Sequence, residues 1–226
     1  FLIQYYLDST QVAIYSSMDS IARMAKLVPQ GIITFLTINF FSDIPNKQFM
    51  KKNLSNIISI SSYVLLLIIL SKNVFLDFLL PKLYSSESLI LTILSIASWF
   101  WALSNLVSIE LIDNKENKTF IFSSGLGFFL NLILNILLIP NYGIYGSAAA
   151  TLVSIAILLI IKVLSSQEFK TFFFSIKLLK ITLPIIGVLI LELLLSENLL
   201  IFVSVVLIAV YLRKGFNILK LLTTDE

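Results

Sequence analysis

Apolar stretches long enough to cross a bilayer recur along nearly the whole of this 226-residue chain, and that recurrence limits what it can fold into more than any other feature. Bilayer hydrocarbon is about 30 Å thick, so about 20 residues of helix are needed to cross it. Segments of this kind run from Val12 to Phe41, Leu54 to Leu80, Leu89 to Ile112, Phe120 to Ile139, Ser147 to Leu164, Leu178 to Leu195 and Leu199 to Leu212, after a shortened stretch at Phe1 to Leu7. The connections between them are too short to fold as domains. Backbone groups inside hydrocarbon must bond within their own segment, which leaves the helix as the only open-ended way across. The sequence therefore predicts an all-α, polytopic transmembrane helix bundle. Its last two segments fall short of a usual span, which suits a thin tilted hairpin or a re-entrant pair.

The composition narrows the chemistry. Hydrophobic residues make up 58% of the chain and charged residues 13%, and the mean hydropathy is +0.98. A water-soluble domain of this size needs more polar surface. The chain holds neither Cys nor His, which excludes disulfides, thiolate or imidazole metal sites, and every catalytic scheme that needs either side chain. No enzyme activity, metal, cofactor or nucleic-acid partner is expected. The chain opens on Phe1 without an initiator Met or a cleavable leader, as expected of a piece of a longer protein.

Basic residues in short loops are retained on the cytoplasmic side during insertion. One set of alternate loops and the tail holds Lys47, Lys51, Lys52, Lys115, Lys118, Lys162, Lys170, Lys177, Lys180, Arg213, Lys214 and Lys220, twelve of the sixteen Lys and Arg; the opposite set holds Lys72 and Lys82. That imbalance predicts a cytoplasmic C-terminus, with the Asp8, Tyr84 and Tyr142 connections outside. Lys170, Lys177 and Lys180 alternate with aromatic residues between Ser165 and Lys180, a pattern that suits an amphipathic helix resting on anionic lipid.

The other two cations, Arg23 and Lys26, fall inside a crossing. Ser16, Asp19, Arg23, Lys26, Gln30, Thr34 and Thr37 follow one another in steps of 3, 4, 3, 4, 4 and 3, which places them on one helix face. Ile14, Met18, Ile21, Ala25, Val28, Ile32 and Phe35 cover the other side, which would face lipid opposite a wet face. Charge at mid-bilayer costs a few kcal/mol even on lenient insertion scales, so the polar stripe should line a hydrated cavity that attracts anions. A plainer arrangement pairs Asp19 with Arg23 inside the helix and lets Lys26 reach an interface. Pro29 should loosen the helix beside the charges or bend it for packing. Glu110 and Glu192 read as interfacial carboxylates, with coupling of a proton or cation as the alternative, for which Asp19 is the better candidate. Trp99, Phe100, Trp101 and the Phe172 to Phe174 run read as ordinary lipid or interface aromatics, with a sugar-stacking platform as the alternative.

The stretch from Asn131 to Ser154, NLILNILLIPNYGIYGSAAATLVS, strongly resembles the signature of bacterial polysaccharide flippases, the Wzx-type O-antigen and capsule transporters. The match lies in Asn131, Asn135, Pro140, Tyr142, Gly143, Gly146 and Ala148 to Thr151, with Ser147 standing where the family commonly has Ala. In physical terms the segment reads as a turn followed by a close helix contact. Asn131 and Asn135 then line a cavity or make an interhelical hydrogen bond. Residues Val12 to Thr34 also resemble the helix that follows the family's central boundary.

The resemblance implies the multidrug, oligosaccharidyl-lipid and polysaccharide exporter superfamily, with a MATE-like plan of two lobes around a cavity. Residues 1–164 would form the C-terminal lobe, from the end of helix seven to helix twelve. Residues 165–226 would hold a cytoplasmic amphipathic loop, two extra C-terminal helices and a cytoplasmic tail. The function implied is translocation of undecaprenyl-diphosphate-linked oligosaccharide units across the bacterial cytoplasmic membrane for O-antigen, capsule or exopolysaccharide synthesis. Its partners would be that lipid-linked substrate, membrane lipid, an N-terminal lobe of the same protein and the polysaccharide polymerase machinery. Arg23, Lys26, Asn131 and Asn135 would bind substrate. The alternatives are a multidrug or cation antiporter of the same superfamily, a polytopic polysaccharide polymerase or glycosyltransferase, and a small structural membrane subunit.

Overall fold

A computed structural model describes residues 2–40, 44–79 and 87–173. They form α1 (Leu2–Tyr6), α2 (Ser9–Ala22), α3 (Met24–Phe40), α4 (Ile44–Leu79), α5 (Ser88–Asp113), α6 (Asn117–Ser165) and α7 (Gln167–Phe173), with no strand among the described residues. Three stretches are apolar and long enough to cross a membrane, Leu54–Val74 in α4, all of α5 and all of α6. This is compatible with a membrane helix bundle. The segments expected at Leu178 to Leu195 and Leu199 to Leu212, with Glu192, lie outside the described residues.

The segment expected to run unbroken from Val12 to Phe41 is two helices meeting at Arg23. Asp8 caps the first, its carboxylate accepting from the Gln11 backbone N–H at 2.8 Å. Arg23 follows the last residue of α2, and Lys26 N–H bonds back to the Arg23 carbonyl over three residues instead of four. This tight turn falls six residues before Pro29, which sits inside α3 and has no N–H to offer the preceding turn.

α6, at 49 residues, is twice the length of one crossing. Gly143, with φ 57° and ψ −137°, leaves helical geometry and divides it into arms of residues 117–142 and 144–165. The arms run antiparallel. Gly127 lies against Leu158, Asn131 bonds Ser154, and a Cβ added to Gly146 would meet the Leu138 carbonyl oxygen at 2.4 Å. The two crossings expected at Phe120 to Ile139 and Ser147 to Leu164 are these arms, folded back with almost no connecting loop.

α5 is the central element and packs on α2, α3, α4 and α6. Small residues on it (Ser95, Ala97, Ser98, Ala102, Ser104 and Ser108) are buried, which lets neighbouring backbones approach. Two apolar clusters surround it. One joins Ile58 and Leu65 of α4 to Leu103 and Leu106 of α5, Leu159 and Val163 of α6, and Phe169 of α7. The other joins Ile14 and Met18 of α2 to Leu76 of α4, Ile90 and Leu94 of α5, and Ile144 and Ala148 of α6, so the side of α2 expected to face lipid is packed against protein instead.

α5 stops in a Schellman turn. Glu116 N–H reaches the Leu111 carbonyl at 2.8 Å and Lys115 N–H reaches the Ile112 carbonyl at 3.1 Å, with Lys115 itself left-handed at φ 61°. The chain then reverses into α6, so α5 and the second arm of α6 run parallel and end on the same side.

Candidate functional site

The polar stripe of α2 and α3 divides into two groups at the helix junction. Asp19 and Arg23, four residues apart, form an ion pair in which both Nε and Nη2 of Arg23 donate to the one Oδ2 oxygen of Asp19, the Nε contact at 2.9 Å. The Arg23 side chain stays 60% exposed and that of Asp19 27%. Ser16 and Thr34 are also exposed, and their hydroxyls donate to the backbone carbonyls of Ala13 and Gln30.

Lys26 and Gln30 turn toward α5. The Lys26 ammonium lies 4.4 Å from the centre of the Trp101 ring, within cation–π range. Asn105, one turn further along α5, donates to the Gln30 side-chain oxygen at 3.3 Å. Trp101 and Asn105 thus belong to the polar face, a part for Trp101 that its apolar neighbours in sequence hide. Thr37 lies on α3 outside the residues whose side chains are described. The site therefore presents one accessible guanidinium, held by a carboxylate at one edge, and an ammonium on an aromatic ring one turn away.

Asn131 and Asn135 belong to a different network. Asn131 Nδ2 donates across the α6 hairpin to Ser154 Oγ at 3.2 Å and Thr151 Oγ1 at 3.4 Å. Asn135 Nδ2 donates back to the Asn131 carbonyl at 2.8 Å and to its side-chain oxygen at 3.0 Å. Tyr15 of α2 reaches the same Thr151 hydroxyl at 3.4 Å. These bonds brace the two arms, the interhelical alternative that the sequence left open. The Asn135 side-chain oxygen is buried and has no partner. No hydrogen bond joins this network to Arg23 or Lys26 among the described residues.

Three charged side chains sit elsewhere than expected. Lys162, counted among the loop cations, is 2% exposed in the second arm of α6 and donates to Ser108 of α5 at 2.9 Å. Glu110, expected to reach water, is 5% exposed and accepts from Ser166 Oγ, which in turn accepts from Phe169 N–H at 3.0 Å and so caps α7. Lys72, assigned to a loop on the opposite side, is buried inside α4 with its ammonium 3.2 Å from the Thr92 hydroxyl. Removing Lys72 and Lys162 from the loops leaves the direction of the charge imbalance unchanged. Each buried lysine uses a hydroxyl of α5, one toward either end of that helix.

An apolar cavity of about 260 Å³ opens between α5 and the second arm of α6, lined by side chains including Trp99, Leu103, Leu159, Val163 and Phe173. Among the described residues no three carboxylates gather into a metal-binding group.

Neither a protein-family model, nor a curated protein, nor a solved structure matches this chain.

Proposed function

We propose that this chain is the C-terminal lobe of a flippase that carries an undecaprenyl-diphosphate-linked oligosaccharide from the cytoplasmic to the outer leaflet of a bacterial cytoplasmic membrane. The observation that carries the reading is the exposed guanidinium of Arg23, with Lys26 one turn on, along a helix face inside a long apolar chain. Arg presents a planar set of donors that fits phosphate oxygens, and charge-assisted bonds are roughly twice as strong as neutral ones. A cation kept open on one face of the α2–α3 pair suits an anionic headgroup passing through a wet cavity.

In this reading the first arm of the protein's transport cycle opens the face of α2 and α3 toward the cytoplasm, and rocking against an N-terminal lobe then opens it outward. Arg23 and Lys26 hold the diphosphate. Gln30, Thr34 and Ser16 offer hydrogen-bonding groups along the same face. Asn131 and Asn135 act on the substrate indirectly, by fixing the α6 hairpin against α2 through Thr151 and Tyr15. The C-terminus is cytoplasmic, and the polymerase machinery receives the translocated unit.

A cation antiporter of similar plan needs an available carboxylate, and the Asp19 carboxylate is engaged by Arg23, which favours the anion reading. The test is export of surface polysaccharide by the full-length protein carrying Arg23→Ala and Lys26→Ala together. Export should fall at least tenfold, a loss of about 1.4 kcal/mol or more, at unchanged protein level in the membrane. Export at the parental rate overturns the proposal.

A further inference from the structure

We infer that Asp19 is a built-in competitor for the anion that Arg23 holds, so that substrate binding is an exchange of one anion for another. The inference rests on the reading of this face as an anion site.

The geometry of the pair supports it. Nε and Nη2 form the edge of a guanidinium that grips carboxylates and phosphates side-on, and on Arg23 both of these nitrogens are given to a single oxygen of Asp19. The other Asp19 oxygen takes no part in that contact. A phosphate approaching Arg23 finds its best edge occupied by a group of the same charge. It must displace the carboxylate or accept a poorer contact.

Displacement is feasible because the pair is local and partly open to solvent. Its members are one helical turn apart, the guanidinium is mostly exposed, and the carboxylate is exposed enough to regain water when released. Arg23 stands at the junction between α2 and α3. Asp19 and Arg23 pair with each other, and Lys26 is directed onto Trp101 instead.

Charge counting gives the same answer. Asp19, Arg23 and Lys26 together carry +1. Without the carboxylate they carry +2, which matches in magnitude the −2 charge of a diphosphate esterified at both ends. Asp19 thus holds the empty site near neutrality and weakens the loaded one. A transported ligand has to leave as well as enter, and a site that is too tight cannot pass it on. The returning Asp19 carboxylate supplies the opposing contact when the headgroup departs, which raises the off-rate.

Binding of inorganic pyrophosphate, which has the linked phosphates of the headgroup but more negative charge than the diester, tests this by calorimetry on the purified full-length protein in detergent at fixed ionic strength. Asp19→Asn should bind about threefold to fivefold more tightly than the parent, the upper part of the range expected for removing an exposed competing ion pair. Asp19→Glu, which keeps the charge, should bind within about twofold of the parent, and Arg23→Ala more weakly. Unfolding temperatures and size-exclusion profiles confirm that each variant is folded, with Arg23→Lys replacing Arg23→Ala if the latter is not. Arg23 variants weaker than the parent, with Asp19→Asn equal to it or also weaker, would leave the anion site standing and overturn the competition. Arg23 variants that bind like the parent, or no binding by either the parent or Asp19→Asn, would overturn both the site and the inference.

Discussion

The Lys162 ammonium donates to the Ser108 hydroxyl over 2.9 Å, and both side chains are buried. This bond ties the second arm of α6 to the C-terminal part of α5. A buried charge is destabilising when left without its partner and costs little when replaced by an apolar side chain of similar size. Ser108→Ala leaves the ammonium with the Phe120 ring, 5.0 Å away, as its remaining recorded neighbour of this kind. It should lower stability by about 1–3 kcal/mol, whereas Lys162→Met should change it by less than about 1.5 kcal/mol. Unfolding of the two variants in mild detergent measures both, and the reverse ranking refutes the assignment.

The α6 hairpin separates its glycines by what surrounds them. A Cβ at Gly146 collides with the Leu138 carbonyl, which is backbone and cannot rotate away, while a Cβ at Gly125 meets nothing within 4 Å. Gly146→Ala should cost about 1–3 kcal/mol or more. Gly125→Ala should be neutral or stabilise by about 0.4–1 kcal/mol, because it lowers the conformational freedom of the unfolded chain. Gly127→Ala should fall between them, since it meets the Leu158 side chain, which can adjust. Yield of monodisperse protein and melting temperature report the order.

Asn131 and Ser154 bond across the hairpin, so their contributions to stability should couple. Interhelical hydrogen bonds in membrane proteins contribute about 0.6 kcal/mol on average and up to about 1.7. A double-mutant cycle with Asn131→Ala and Ser154→Ala should return a coupling in that range. Strict additivity would show that the two groups do not hold the arms together, and would return Asn131 to the list of groups available to substrate.

Lys115 closes the Schellman turn after α5 in a left-handed conformation that a side chain disfavours by about 1–2 kcal/mol. Lys115→Gly should therefore raise stability by about 1 kcal/mol, reduced by the greater freedom of glycine in the unfolded state. The position is exposed, so no packing changes with it. A lower melting temperature for Lys115→Gly would show that the turn is not the one described.

The sequence made the crossings legible where length and hydropathy alone define them, as in α4, α5 and the arms of α6. The α6 turn was legible for a different reason: Pro140, Gly143 and Gly146 place backbone permissiveness within a few residues, and Gly143 uses it at φ 57°. The break at Arg23 carried no such mark. Asp19 and Arg23 at a four-residue spacing read as support for a continuous helix, and the irregularity appears only when α2 and α3 pack separately on α5. Lys72 and Lys162 were misplaced because a lysine near the end of an apolar run reads as a loop residue. Their burial depends on Thr92 and Ser108, hydroxyls 20 and 54 residues away in the chain. For Asn131 and Asn135, the choice between cavity and hairpin turned on how one arm of α6 is rotated about the other, which no local pattern encodes.

The near absence of a loop at Gly143 bears on how such a chain enters a bilayer. The tip of the hairpin consists of Asn141, Tyr142 and Gly143, none of them charged, so drawing it through hydrocarbon would involve little desolvation compared with a lysine-bearing loop. The arms on either side can then partition as one preformed unit, with the amide of Asn131 already satisfied by Ser154 before lipid surrounds it. For a hairpin that partitions as one unit, the hydropathy of both arms together sets the free energy of insertion, so a substitution that weakens one arm should be offset by the other.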